Sequence, residues 1–374
     1  MNNQSISSIE MKKMNRNRIF KYVYHNNAVS KQNIADALNM SLPTVNQNIK
    51  TLKEQGLIIE TGMLESTGGR KAKALSANTP ARYAVGIDIT RNHVVAAVID
   101  IYGNILRTER VRALFEKNTD YFRYIGKTVE LAIGEDIDRS KILGVGISVP
   151  SLLSADGRTV TYSTVLDFTD GSLSSFEEYI PYKCLLSNDA NAAGIAELWN
   201  HESVDNVVYL SLSSSVGGAI LLNNKFYPGE NNRSAELGHI TIIPGGTRCY
   251  CGQHGCVDAY CNSAVLTDTA DGSLTEFFNL IKQGSAYHEQ VWNTYMRHLS
   301  IVVNSLRMTF DCSVILGGQV GGCMDDYVAH FKGLAAKLNS FEANGEYVKV
   351  CKYKMEASAV GAALQHVQPF IDGI

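Results

Sequence analysis

Residues 15–75 read NRNRIFKYVYHNNAVSKQNIADALNMSLPTVNQNIKTLKEQGLIIETGMLESTGGRKAKAL. Within this stretch Ile19, Phe20 and Val23 mark one helical face, and Ile34, Ala37 and Leu38 mark a second. Ser30 is placed to N-cap the second helix, and Asn39-Met40 ends it. Ser41 then caps a third helix, whose early Pro43 costs nothing because first-turn amides have no intrahelical partner. The spacing predicts that this helix buries Val45, Ile49 and Leu52 and turns Thr44, Asn46, Gln47, Asn48 and Lys50 the other way. Short polar groups of this kind read base edges when a helix lies in the major groove, although a plain solvated face has the same pattern. The context separates the two readings. Gly56-Leu57-Ile58 closes the helix, and strand-like pieces at 57–61 and 72–76 flank the Gly-rich tip Ser66-Thr67-Gly68-Gly69-Arg70-Lys71. That is a wing, from which Arg70 and Lys71 would reach a phosphate or the minor groove. Residues 1–80 are thus expected to form a winged helix-turn-helix DNA-binding domain.

The same end is basic. Residues 1–80 carry 11 Lys and Arg against 5 Asp and Glu, whereas the rest carries 23 against 32, so the net charge of −3 conceals a positive end on a negative body. Such an asymmetry is the footprint of a nucleic-acid-binding unit attached to something else, though a solvated basic face carries it too. With 45% hydrophobic and 19% charged residues over 374 positions, the chain has room for two or three packed units, and disordered and fibrous classes drop out. The polar start MNNQSISSIEMKK and the lack of any run of about 18 apolar residues support neither a signal peptide nor a membrane span, which implies a cytoplasmic protein. Four of the eight cysteines, Cys249, Cys251, Cys256 and Cys261, crowd into thirteen residues. In a reducing compartment that crowding suggests a metal, with buried free cysteines as the alternative.

After Thr79-Pro80 the period changes. YAVGIDI and HVVAAVIDIYGNIL are β-rich runs with a Gly-Asn hairpin signal, a helical stretch follows near Tyr121–Ala132, and KILGVGISVP reads as another buried strand. CLLSNDANAAGIAELW passes from strand to helix at Asn188-Asp189, and NVVYLSLSSSVGGAILLNNKFY repeats the two-strand theme. A plan of strand hairpin, helix and strand therefore occurs twice, as in duplicated actin-like ATPase lobes; periodicity alone supports α/β.

The wing motif, Ser187-Asn188-Asp189-Ala190-Asn191-Ala192-Ala193, Glu236-Leu237-Gly238-His239 and the run Cys249-Tyr250-Cys251-Gly252-Gln253-His254-Gly255-Cys256-Val257-Asp258 together resemble the ROK family of repressors and sugar kinases. The likeness spans essentially the whole chain. It implies an α/β body of two actin-like ATPase lobes over residues 81–374, the first about 81–187 plus the C-terminal helix, the second about 188–354. His239, Cys249, Cys251 and Cys256 offer one imidazole and three thiolates, a set that suits tetrahedral zinc with no open position, and Gly252 and Gly255 let the backbone curl around one ion. In the family this zinc is structural, and the resemblance assigns it these four ligands, with Cys261 just outside the motif.

Sugar recognition needs carboxylate and amide groups that grip adjacent hydroxyls. The family's hydroxyl-binding positions fall on Asn188, Asp189, Glu236, His239 and Asp258, with His239 ligating the metal through one nitrogen and facing the sugar with the other. Most family members have Glu where Asp258 stands. For Asp189 a helix N-cap is an equally good reading. In the family's kinases the position of Asp189 is the general base, while two glycine-rich turns receive the phosphates. Here the first turn reads Asp88-Ile89-Thr90-Arg91-Asn92 and the second Ser211-Leu212-Ser213-Ser214-Ser215-Val216-Gly217-Gly218, so β-branched and serine residues replace the small ones that admit phosphate. Only Ile315-Leu316-Gly317-Gly318-Gln319 keeps its expected form. The expectation is a non-enzymatic sugar sensor in which Asp189 is a vestigial base. Such a regulator, probing a near-palindromic DNA operator as a homodimer or dimer of dimers and answering to glucose, N-acetylglucosamine, another amino sugar or a xylose derivative, is weighed against an active sugar kinase with a DNA-binding extension.

Overall fold

Three helices and a two-stranded wing make the N-terminal unit: α1 (Ser8–Asn26), α2 (Lys31–Leu38), α3 (Leu42–Glu54), β1 (Ile58–Met63) and β2 (Lys73–Ala77). The computed structural model describes residues 8–64, 71–163, 165–199, 205–223, 225–231 and 233–374. Ser30 caps α2 by accepting the Asn33 amide at 3.0 Å, and Asn39 ends it in the left-handed conformation at φ 52°. Ser41 accepts the Thr44 amide and Pro43 sits in the first turn of α3. Ile19, Phe20, Val23, Ile34, Val45, Ile49 and Leu52 close the small core. One expected core position is corrected: Ala37 is exposed and Ala35 is buried in its place. In a helix of 8 residues the inward stripe runs through Ile34, Ala35 and half-buried Leu38, and Ala37 lies on the far side. β1 and β2 pair antiparallel from Ile58–Ala77 to Met63–Lys73.

The body contains two sheets of the same plan. The first is built from β3 (Tyr83–Ile89), β4 (His93–Asp100), β5 (Ile105–Arg112), β6 (Ile142–Val149) and β9 (Cys184–Asn188), in the order β5-β4-β3-β6-β9. The short hairpin β7 (Leu152–Leu153) and β8 (Val160–Tyr162) leaves its top, and α4 (Thr119–Ile133) and α5 (Ser174–Glu177) cover one face. The second sheet has β10 (Val207–Leu212), β11 (Val216–Leu222), β12 (Lys225–Phe226), β13 (Ser313–Gly317) and β14 (Val348–Val350), ordered β12-β11-β10-β13-β14. In each, a hairpin strand pairs antiparallel with the first long strand, which pairs parallel with the next. Matching orders make the two lobes of an actin-like ATPase fold.

Helices α7 (Asp258–Cys261), α8 (Ala264–Thr267), α9 (Leu274–Lys282), α10 (Ala286–Phe310), α11 (Gly318–Gly321) and α12 (Val328–Leu338) belong to the second lobe, where α10 buries Trp292, Tyr295, Met296 and Leu299. Between the sheets lie α6 (Asp189–Leu198) and the last helix α13 (Ala357–Gly373). They touch backbone to backbone: a methyl group at Gly361 would collide with the Ala192 carbonyl, so only glycine permits this approach. The helix pair shares one continuous apolar core with the winged unit, from Ile19 and Phe20 through Ala359 and Leu364 to Ile374. No helix among the described residues is long and apolar enough to cross a membrane.

Candidate functional site

At the end of β9 the chain switches from strand to helix, and that switch opens a cleft between the lobes. The cap of α6 is Asn188, whose Oδ1 accepts the Asn191 amide at 2.9 Å; Asp189 is the first helical residue and not the cap. The Asn188 side-chain amide donates to the Ser151 carbonyl at 3.0 Å, which ties the helix start to the β7–β8 hairpin. Asp189 projects into a cavity of about 530 Å³, also lined by Asn188, Glu236, His239 and Tyr250. Burial holds the Asp189 carboxyl above the usual carboxylate range, against backbone amides that lower it. Glu236 keeps a solvent-exposed edge, yet enough water is displaced around its carboxyl to raise it, with Asp189 reinforcing and His239 opposing the shift. Two acceptors and an imidazole on one wall suit a ligand rich in hydroxyl donors.

Asp258 is placed differently. Only 2% exposed, it accepts the Val216 amide at 2.6 Å and the Asn262 side chain at 3.4 Å, and it is not among the residues lining the cleft. Its contact with the cleft is indirect, through the β11 backbone. Ser151 lines the cleft with its hydroxyl buried and without a partner among the described residues; nothing in its local sequence marks it. Arg233, Tyr162, Phe226 and Tyr227 also line the cleft, and only the fold brings them there.

His239, Cys249, Cys251 and Cys256 converge, their ligand atoms all within 4.8 Å of one another. Nδ1 of His239 is 3.9 Å from Cys249 Sγ, and Cys251 Sγ is 3.8 Å from Cys256 Sγ. Metal–sulfur bonds of about 2.3 Å at tetrahedral angles put ligand atoms about 3.8 Å apart, so the donor set fits a four-coordinate ion. Gly255 makes the loop possible: its φ is +83°, and a side chain there would strike the Ile243 carbonyl. The other imidazole nitrogen, Nε2, lies 3.3 Å from the Tyr250 hydroxyl on the cleft side. One ring thus joins the metal cluster to the cleft.

The loops that would serve a nucleotide are turned inward. In the first, the Thr90 amide donates to the His93 carbonyl at 2.9 Å and Ile89 is fully buried. In the second, the Ser213 amide donates to the Ser215 carbonyl, and Ser213 Oγ accepts the Gln319 amide at 3.2 Å. The Gly318 amide is taken by the Tyr209 hydroxyl, also at 3.2 Å. Even the intact-looking Gly317-Gly318-Gln319 turn therefore spends its amides on internal acceptors. Asp88, 8% exposed, accepts from Ser148 Oγ at 2.9 Å; burial and the nearby Asp189 push it up to about 7.

On the winged unit Asn46, Gln47 and Lys50 are exposed, while Thr44 and Asn48 are half-buried. Thr44 Oγ1 pairs with Ser41 Oγ at 2.8 Å, and Asn48 donates to the Thr44 carbonyl at 2.8 Å, so both are committed to α3 itself. Lys31 donates to Asn46 at 2.7 Å, joining α2 and α3. Lys71 is exposed at the end of the wing; Arg70 and the Gly-rich tip lie outside the described residues.

A winged helix joined to a two-lobed actin-like ATPase body, with a polar interlobe cleft beside a His-Cys cluster, defines the class of protein. The chain belongs to the ROK family, whose model matches residues 84–368, and a winged helix-turn-helix DNA-binding model matches residues 15–59. The xylose repressor of Bacillus subtilis (strain 168) is 28% identical over 264 residues, covering 68% of this chain and 67% of that one. Among solved structures, a ROK family transcriptional regulator, homolog of the E. coli MLC protein, superposes with TM-score 0.75 at 20% identity over 97% of both chains. A ROK family glucokinase from Streptomyces griseus, in complex with glucose and AMPPNP, superposes with TM-score 0.61 at 24% identity over 75% of this chain and 98% of that one.

Proposed function

We propose that this protein is a sugar-responsive, DNA-binding transcriptional regulator, a repressor of carbohydrate uptake or metabolism genes whose body binds a sugar without phosphorylating it. The observation that carries the reading is the pairing of an open polar cleft at Asp189, Glu236 and His239 with nucleotide loops whose amides are already engaged by Tyr209 and Ser213. A xylose repressor among the relatives supports the same direction. Asp189 binds a hydroxyl as an acceptor, Asn188 and Glu236 orient it, and His239 holds the ring edge. Asp258 supports the wall from behind through Val216.

The four-ligand cluster holds structural zinc, which when bound crosslinks the segment from His239 to Cys256 and fixes the imidazole facing the cleft. Asn46, Gln47 and Lys50 enter the major groove with Thr44 and Asn48 shaping the helix start, and Arg70 and Lys71 contact the backbone from the wing. One recognition helix reads too few base pairs for operator selectivity, so the working species is a dimer on a near-palindrome, located in the cytoplasm.

One observation favours a second reading: Asp189 keeps the place and raised carboxyl that a sugar kinase needs in a general base. A coupled assay for ADP release with a panel of sugars separates the two. The regulator shows none, and its affinity for DNA selected in vitro by the protein changes with sugar. Sugar-dependent ADP release that vanishes in Asp189→Asn overturns the regulator reading.

A further inference from the structure

Seven aromatic side chains among the described residues are exposed, and four of them, Tyr162 at 51%, Phe226 at 37%, Tyr227 at 52% and Tyr250 at 53%, line the interlobe cleft. They reach it from three separate segments: Tyr162 from the β7–β8 hairpin of the first lobe, Phe226 and Tyr227 from the strand edge of the second, and Tyr250 from the His-Cys loop. Leaving a large ring in water forgoes apolar burial; a fully buried ring covers about 150–250 Å², so each of these half-exposed rings leaves roughly half of that available for contact at a small entropic cost. The backbone that carries two of them is held. Tyr162 is paired with Leu152 across the hairpin, and the Tyr227 amide donates to the Ile220 carbonyl at 2.9 Å.

Asp189, Glu236 and His239 suit the hydroxyl edges of one pyranose, and the Tyr250 hydroxyl lies 3.3 Å from His239 Nε2, so one of the four rings adjoins those polar groups. A pyranose has polar edges and flat C–H faces, so rings beyond a hydroxyl-binding patch suit the faces of a further sugar unit. Two carboxylates against a single guanidinium, Arg233, also disfavour an anionic ligand. A cavity of about 530 Å³ has the size that takes ligands of this class.

We infer that the effector is a neutral disaccharide, its first ring held by Asp189, Glu236 and His239 and its second stacked between Tyr162 of one lobe and Phe226 and Tyr227 of the other. The inference rests on the sugar-sensor reading and narrows its ligand class. Tyr162 stands on one lobe and Phe226 and Tyr227 on the other, so a ligand that touches both sets of rings bridges the lobes.

The test is calorimetric titration of the full chain with glucose, xylose and N-acetylglucosamine, and with cellobiose, maltose, xylobiose and N,N′-diacetylchitobiose. At least one disaccharide is expected to bind tenfold or more tighter than its own monomer. Tyr162→Ala and Tyr227→Ala, both at exposed positions, are expected to erase that advantage while leaving monomer affinity and the melting temperature unchanged. A monosaccharide binding as tightly as every disaccharide, or alanine variants that keep the full disaccharide advantage, overturns the two-ring site and leaves the sugar-sensor reading standing. If none of the seven saccharides binds, both fall.

Discussion

The ring of Tyr24 in α1 stacks face to face on that of Tyr102 in the β4–β5 turn, with centroids 4.4 Å apart and planes inclined by 3°. The hydroxyls lock the pair: Tyr24 donates to the Ile101 carbonyl at 2.8 Å, and Tyr102 to the Tyr24 carbonyl at 3.1 Å. Next to it, Asn17 donates to the Ile371 carbonyl of α13 at 2.6 Å. From this joint a bonded chain leads back to the cleft. The Tyr353 hydroxyl donates to the Gly103 carbonyl at 3.0 Å, and the Lys352 and Tyr353 amides both donate to Glu197 at 2.7 Å. Glu197 lies on α6, the helix that starts at Asp189.

Tyr102→Ala is therefore expected to loosen the joint without touching either binding surface. Removing an aromatic pair costs about 0.5–1.5 kcal/mol beyond its buried area, comparable with the 1–3 kcal/mol of a typical coupling energy. DNA affinity without sugar and sugar affinity without DNA should stay within about threefold, while the change in DNA affinity on saturation with sugar shrinks. Anisotropy titrations with and without sugar measure it; an undiminished response in Tyr102→Ala removes the joint from the coupling route.

Glu236→Gln should leave DNA affinity without sugar nearly unchanged and abolish the sugar response, because only the cleft loses an acceptor. Lys50→Ala should do the opposite, weakening DNA binding and leaving sugar affinity alone, as expected for a residue that meets the major groove. A full sugar response in Glu236→Gln would mean that the ligand sits elsewhere.

Elemental analysis of protein prepared without chelator should return one zinc per chain, from the cluster of His239, Cys249, Cys251 and Cys256. Cys251→Ser should lower the metal content and the melting temperature, and should weaken sugar binding because His239 is no longer anchored on its Nδ1 side. Metal-free protein with unaltered melting and sugar affinity would rule out the structural role.

Asp88 sets a pH dependence of stability. Its folded-state carboxyl, raised to about 7 by burial and by Asp189, stays protonated where the unfolded one is already ionised, so folded protein binds more protons and stability falls as pH rises from about 4 to about 7. Below that window the burial costs nothing; above it the full penalty persists. Asp88→Asn can still accept from Ser148 Oγ and carries no charge. It should melt higher than the parent, by a margin that widens between about pH 5 and about pH 8. Equal margins at both pH values would show that Asp88 ionises freely in the fold.

What sequence alone determined was whatever depends on neighbours along the chain. The Ser30 and Ser41 caps, the buried stripe Val45, Ile49 and Leu52, the strand-to-helix switch at Asn188-Asp189 and the spacing of His239 with three cysteines are local patterns, and local hydrogen bonds, helical periodicity and chelate spacing enforce them. A short period does not settle the phase: in the two-turn α2, one residue of phase decides that Ala35 and not Ala37 is buried. Tertiary structure alone decided what depends on residues far apart in sequence. It brought Asp189 to the same cleft as Glu236 and His239, and turned Asp258 toward the Val216 amide 42 residues away. It closed Tyr209 and Ser213 over the amides of Gly318 and Gln319, more than a hundred residues on, though that turn reads as intact. It also gathered Tyr162, Phe226, Tyr227 and Tyr250 around one cavity. No periodicity encodes such meetings, because their geometry is set by how two sheets and the α6–α13 pair pack, and a close approach like Gly361 on Ala192 fixes that packing across the whole body.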